Sequence, residues 1–458
     1  MPLRSHSADR PARRRPVRRA WRVAAAAPLL AAAACSGAGP LAGRLAPATA
    51  HERYERSLRD AGLATTALGA AWLAAADSAV ARASPVSLPF RESGYFGADE
   101  ARAVAYRFTL RAGQRLVAEV AHEGDGRALL FADLFELPED SLAAAERVAS
   151  ADSSLAPLEV TARRETAYVL RVQPELLRSV RWTLTLQVGP SLAVFPVAGR
   201  STAAVRSAFG VARDGGQREH HGIDIFAPRG TPVVAAADGR VRSTTPSRRG
   251  GKLVWLRDAR VGQSLYYAHL DTVFVVPGQQ VRAGDTLGLV GNTGNAVTTP
   301  PHLHFGIYAR GPVDPYYFVH RPKTEPPALG ATVAALGAER RTSARTTLRT
   351  RPDAASGTSL AAGTPLRVVG VAGGAFRVLL PDGRGGWVSA RSVEAIDAPL
   401  QRTRLFGAAA LRDRPTPDGV TIDSLAPGRT LPVLGRLGAY ALVRDGGRTG
   451  WVERATDD

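Results

Sequence analysis

The spacing of apolar residues changes along this chain, and the changes divide it. Over residues 51–83 apolar side chains recur at helical spacing: Tyr54, Leu58 and Ala61, then Leu68 and Trp72, with Gly62 predicting a break between two helical pieces. From residue 85 the period becomes two. Tyr106, Phe108 and Leu110 alternate with polar neighbours, as do Leu116, Ala118 and Val120, Tyr168, Leu170 and Val172, and Leu184, Leu186 and Val188. With turns at Gly113, Gly124 and Gly126, residues 85–190 predict a β-sandwich-like domain. Residues 196–320 hold short β-like runs such as KLVWLRD, QSLYYAHL and HLHFGIY. Asp238-Gly239 and Pro277-Gly278 are hairpin-type turns, so this part predicts antiparallel β structure.

The proline-containing stretch 321–345 reads as a linker with a short helix at 331–341. Beyond it the chain repeats itself. LRTRPDAASGTSLAAGTPLRVVG begins at Leu348 and LRDRPTPDGVTIDSLAPGRTLPVLG at Leu411; Pro352 matches Pro415, Gly363 matches Gly428, and Trp387 matches Trp451. Residues 346–396 and 402–456 therefore predict two small β-barrels, whose tryptophans serve as core or as ligand platform. The expected fold is mainly β and multidomain, with an N-terminal helical segment ahead of the sandwich.

Composition adds little to this picture, and charge adds some. The 458 residues carry a net charge of +18, but residues 1–22 hold eight Arg against Asp9 alone and account for +7 of it. The remaining +11 favours anionic surfaces. No basic stripe interleaved with aromatics is present, so no nucleic-acid partner is expected. Residues 1–35 predict an export signal: an Arg-rich start, an apolar run at 23–34 too short to span a bilayer, and small residues before Cys35. Cys35 is the chain's one cysteine, so no intrachain disulfide can form. Its position resembles that of the lipidated Cys of a bacterial lipoprotein, the competing reading being a plain secretory signal. Lipidation at Cys35 implies a membrane anchor, with Ser36 favouring the outer membrane.

Five of the nine histidines lie between His220 and His304, which marks this region as the chemical one. In REHHGIDI an extended strand puts His220, Gly222 and Asp224 on one face and His221 on the other. His302 and His304, two apart in PHLHFGIY, also share a face. His220, Asp224 and one of that pair would make a three-ligand metal site with an open position, the form taken by catalytic zinc. His269 of YYAHL and the other member of the pair are then free for acid–base work. Spacing alone leaves open which of His302 and His304 binds metal. Asp238 and Asp285 sit in turns and read as structural. The only Cys lies in the export segment, which excludes cysteine catalysis, and no Gly-x-Ser-x-Gly elbow or phosphate loop occurs.

Together these motifs, with GTPVVAAADGRV at 230–241 and VRAGDTLGLVGNTG at 281–294, resemble the lysostaphin-type (LytM-type) zinc endopeptidases, which hydrolyse peptide bonds of bacterial peptidoglycan. The resemblance spans residues 209–317. It implies an antiparallel-β peptidase domain holding one Zn2+ on His220, Asp224 and His304, with His269 and His302 assisting water and the developing oxyanion. Two positions depart from the family pattern: Thr299-Pro300-Pro301 stands where Thr-Gly-Pro is frequent, and Gly306 where Glu is common. Both affect groove shape and specificity. The C-terminal repeats resemble bacterial Src-homology-3-like modules. The expected protein is thus an exported, lipid-anchored peptidoglycan endopeptidase of the cell envelope. The alternatives are a non-catalytic regulator of cell-wall amidases and a wall-binding scaffold.

Overall fold

The computed structural model describes residues 47–123, 128–138, 145–151, 156–322 and 325–454. The predicted export segment and Cys35 lie outside them. The fold is mainly β.

Two helices, Ala50–Asp60 and Ala67–Ala81, open the described chain. The first begins at a capping box: the Thr49 hydroxyl accepts from the Glu52 amide and the Glu52 carboxylate from the Thr49 amide. The second ends the helical period with Trp72 fully buried against Phe131 and His51. Its indole nitrogen donates to the Pro174 carbonyl, which fastens the helices to the sandwich.

One sandwich sheet has the strand order Ser84–Pro85, Val104–Leu110, Thr166–Pro174, Leu130–Glu136, Glu146–Ala151. The other contains Phe90–Phe96, Val180–Pro190, Gln114–Glu123 and Leu158–Thr161. The alternating residues Tyr106, Phe108, Leu110, Leu116, Leu184 and Leu186 fill the space between. This second sheet continues into the first C-terminal repeat. Ser93 pairs with Val371 and Gly94 with Gly370, giving nine strands in all. Trp387 of that repeat is buried in the sandwich core. Behind the seam the fully buried Glu92 receives hydrogen bonds from Arg377 and Tyr106, both at 2.9 Å.

Part of the expected linker belongs to this module. In place of a helix at 331–341 there is a 3-10 turn, Val333–Ala335, and a strand, Glu339–Thr342, paired with Pro365–Ala372 and Val393–Ala395. The physical reason is burial: Ala335 and Leu336 enter the repeat's core, and Gly337 at φ 82° ends the turn where a helix would have to continue. The second repeat forms its own six-stranded sheet, with Trp451 buried.

The histidine-rich region forms a separate antiparallel sheet in the order Val205–Ser207, Ile223–Phe226, His302–Tyr308, Ser264–Val273, Lys252–Asp258, Gly239–Ser243, Gln280–Val281. Thr286–Val290 joins Ser264–Val273 and pairs with Pro232–Val234. Asp238 and Asp285 accept backbone amide hydrogen bonds, from Ala283 and Arg282, as turn residues do.

Candidate metal centre

Strand pairing brings distant residues together here. His302–Tyr308 runs antiparallel between two neighbours, with His304 opposite Asp224 on one side and opposite Ala268 on the other. Leu303, Phe305 and Ile307 point into the core, as do Ile223, Ile225, Leu265 and Tyr267. Alternation then puts His302, His304 and Asp224 on the opposite face. His220 lies just before its strand and is buried, whereas its neighbour His221 is exposed.

His220 Nε2, Asp224 Oδ1 and His304 Nδ1 form a triangle with edges of 2.9–3.0 Å. His220 Nδ1 lies 2.7 Å from the Ala208 carbonyl, which can only accept, so Nδ1 carries the proton and Nε2 presents a lone pair. Three electron-pair donors therefore converge with at most one proton among them, on His304. Such convergence calls for a cation. Corners this far apart can all lie about 2.0–2.2 Å from one ion, the usual distances of zinc to nitrogen and carboxylate oxygen. The donor set fits the ion that the sequence motifs imply.

Electrostatics follow from the crowding. Burial opposes ionisation of Asp224, but the closeness of the His220 and His304 rings to its Oδ1 holds its carboxyl far below the usual range. Burial lowers the His304 imidazole against the pull of Asp224. Burial, helped by His302 and His304, brings His269 down to about 4.

The two remaining histidines flank the triangle. His269 sits in a bulge: Lys252 pairs with Leu270 but Val254 with Tyr267, so one extra residue is accommodated, and His269 adopts φ 64°. For a non-glycine residue this conformation costs about 1–3 kcal/mol, and such outliers cluster at functional sites. The bulge brings its ring to 5.1 Å from that of His302 and 5.9 Å from that of His304. His269 Nδ1 donates to the Thr293 carbonyl and His302 Nδ1 to the Pro300 carbonyl, both at 2.9 Å. Each therefore keeps a basic Nε2. His302 Nε2 lies 4.0 Å from Asp224 Oδ1, and its ring stacks on Phe226.

All five residues expected from the motifs thus meet in one place. Reading the sequence missed Arg213, which donates to Asp224 Oδ2 at 2.7 Å. It also missed an aromatic wall of Trp255, Tyr266 and Tyr308, with Tyr266 edge-on to His304. Tyr308 shares the parity of His302 and His304 on its strand, and Tyr266 is opposite Gly306 on the neighbouring one, so the alternation that places His302 and His304 could have found Tyr308.

Residues 218–315 match the family model described as Peptidase family M23. The chain carries a domain of that peptidase family. Within it the chain is 45% identical over 101 residues to the DD-carboxypeptidase/endopeptidase Mpg of Neisseria meningitidis serogroup B, covering 21% of this chain and 22% of that protein. To the L-Ala--D-Glu endopeptidase of Bacillus subtilis it is 38% identical over 122 residues, 25% of this chain and 37% of that one. Among solved structures, the catalytic domain of lysostaphin from Staphylococcus simulans matches at 32% identity over 24% of this chain and 85% of that one, with a TM-score of 0.22. The chain thus spans well under half the length of these curated relatives.

Proposed function

We propose that the protein is a zinc-dependent endopeptidase that cleaves peptide bonds in bacterial peptidoglycan. The triangle of His220, Asp224 and His304, flanked by two histidines with free Nε2 atoms, carries this reading. The named endopeptidases among the relatives support the substrate class.

His220, Asp224 and His304 would hold the ion. Bound there, zinc supplies Lewis acidity, polarising a peptide carbonyl and making water nucleophilic near neutral pH. His269 is neutral at that pH, so its Nε2 accepts the proton that the attacking water gives up. The proton held on His269 Nε2 then passes to the leaving amine, and a proton carried on His302 Nε2 would be shared with the oxygen that gains negative charge. The carbonyls of Thr293 and Pro300 fix both rings in the tautomer these roles require. Phe226, stacked on His302, keeps its ring in plane.

The enzyme acts in the cell envelope on this reading, anchored through Cys35. An E. coli lipoprotein, YgeR, is 39% identical over 108 residues, covering 23% of this chain and 40% of that protein, which supports it. Labelling of the wild-type chain, but not of Cys35→Ala, by a fatty-acid probe tests the anchor. The activity is tested by incubating the purified full chain with muropeptides, with and without chelation and zinc return, beside His304→Ala. Cleavage lost on chelation and restored by zinc is expected. A folded, zinc-loaded chain that cleaves nothing would sink the enzyme reading in favour of an amidase regulator, and wall binding without turnover would favour a scaffold.

A further inference from the structure

The contacts of Arg213 have no place in the mechanism above, yet they bear on its centre. Arg213 stands on a two-stranded ribbon, Ala212–Arg213 paired with Arg218–Glu219, whose turn contains Gly215 at φ 68° and Gly216 at φ 92°. One guanidinium nitrogen, Nη2, donates to Asp224 Oδ2 at 2.7 Å and to Ser207 Oγ at 2.5 Å. Ser207 is the sheet partner of Asp224, and its Oγ lies 3.4 Å from His220 Nδ1. One side chain therefore ties together the supports of two corners of the triangle.

We propose that Arg213 is a positioning residue that commits Asp224 to binding the metal through Oδ1 alone. This rests on the metal reading given above. A free carboxylate beside a divalent ion can offer one oxygen or both. Here Oδ2 is taken by a charge-assisted hydrogen bond, and only Oδ1 faces His220 and His304. The guanidinium also offsets the single carboxylate charge of the ligand set, which leaves more of the ion's positive charge to act on a substrate carbonyl. The pair is half-sheltered, with side-chain exposures of 30% for Arg213 and 10% for Asp224. Its geometry is therefore defined by protein contacts on both sides.

The test uses the full chain as wild type, Arg213→Met and Arg213→Lys, each stripped by chelation. Three quantities are read: zinc affinity by competition with a chromophoric chelator, the melting midpoint of the metal-free protein, and the visible spectrum of the cobalt-substituted form. Outer-shell partners of metal ligands are worth about 10–100-fold in affinity. The expected result is a loss of that size in Arg213→Met, an altered cobalt spectrum, partial recovery in Arg213→Lys, and an unchanged metal-free melting midpoint. Zinc affinity within about twofold of wild type in Arg213→Met overturns the inference while leaving the metal centre intact. So does a fall in the metal-free midpoint large enough to show that the residue serves only to pin the ribbon. A wild-type chain that takes up no zinc overturns the metal reading itself, and this inference with it.

Discussion

Gly222 stands between His220 and Asp224, two of the three residues proposed to hold the metal, and replacing it with Ala is the most discriminating single change. A Cβ built at this position lies 2.6 Å from the Phe305 carbonyl oxygen and 2.7 Å from both Cε1 and Nε2 of His304. Ordinary carbon contacts are about 3.5–4.0 Å, so roughly 1 Å must be found. The Phe305 carbonyl cannot provide it, because Phe305 is paired across the sheet with Ile223. The His304 ring must turn or slide instead. Metal–ligand distances tolerate only about 0.2 Å. Overpacking of this kind costs about 1–3 kcal/mol of stability, which leaves the domain folded. Misplacement by 1 Å can cost about a hundredfold in rate. Gly222→Ala should therefore fold, lose most bound zinc at limiting metal, and cleave muropeptides at least about a hundredfold more slowly. Gly311→Ala, where a Cβ meets nothing within 4 Å, is the matched control. Wild-type zinc content and turnover in a folded Gly222→Ala protein would refute the argument that His304 is held in place by the absence of a side chain at 222.

Other substitutions separate holding the metal from using it. His220→Ala and Asp224→Asn should abolish zinc uptake measured by metal analysis. His269→Ala and His302→Ala should keep near-stoichiometric zinc while turnover falls about 10²–10⁴-fold; zinc loss in these two would show that they are ligands. At the seam between sandwich and first repeat, Arg377→Ala leaves Glu92 buried without its cation, and chemical denaturation at pH 8 should show a loss of about 3–5 kcal/mol. Burial pushes the Glu92 carboxyl up to about 7 against the pull of Arg377 and Tyr106. Because the folded state then holds this proton more tightly than the unfolded chain, the contribution is present in full below about pH 4.5 and is lost as pH rises to about 7. Glu92→Gln should remove that downward slope; an unchanged pH profile would count against it.

What the sequence made legible depended on how local the determining contact is. Parity on a strand points to His220 over His221, and although the strand starts only at Ile223 the structure buries His220 beside Asp224 and leaves His221 exposed. The His302/His304 choice was not decidable from spacing, since both rings lie on one face. It turns on the neighbouring strand: Asp224 is opposite His304, while His302 is opposite Phe226. Arg213 was invisible because a hairpin carries it back to Asp224, and nothing in an Arg near two glycines announces that contact. The continuous sheet joining the sandwich to the first repeat was equally hidden. Its pairing links residues far apart in the chain, and it needs Gly370, where a Cβ would meet the Glu92 carboxylate at 2.3 Å. Two modules that look independent in sequence are thus joined by a buried charge neither would tolerate alone.

The centre draws its donors from places that differ in how firmly they are held, and this bears on how it can vary. Asp224, His302 and His304 are on paired strands whose opposite faces fill the core. A one-residue slip in either strand would exchange every donor for an apolar residue. That penalty protects the face that carries Asp224, His302 and His304 without any constraint on the substrate. Arg213 lies on a short ribbon and His220 directly follows it, and His269 and His302 lean on the loop carbonyls of Thr293 and Pro300. The aromatic wall occupies the same open strand face as His304, next to Gly306, where a Cβ would come within 3.0 Å of Tyr308 and 3.1 Å of the His221 carbonyl. Changes in the loops or along that wall can reshape the groove while the strand-borne donors stay fixed. Selection for a different peptide should therefore act on Gly306, Tyr308 and the 293–301 loop, and leave the triangle as it is.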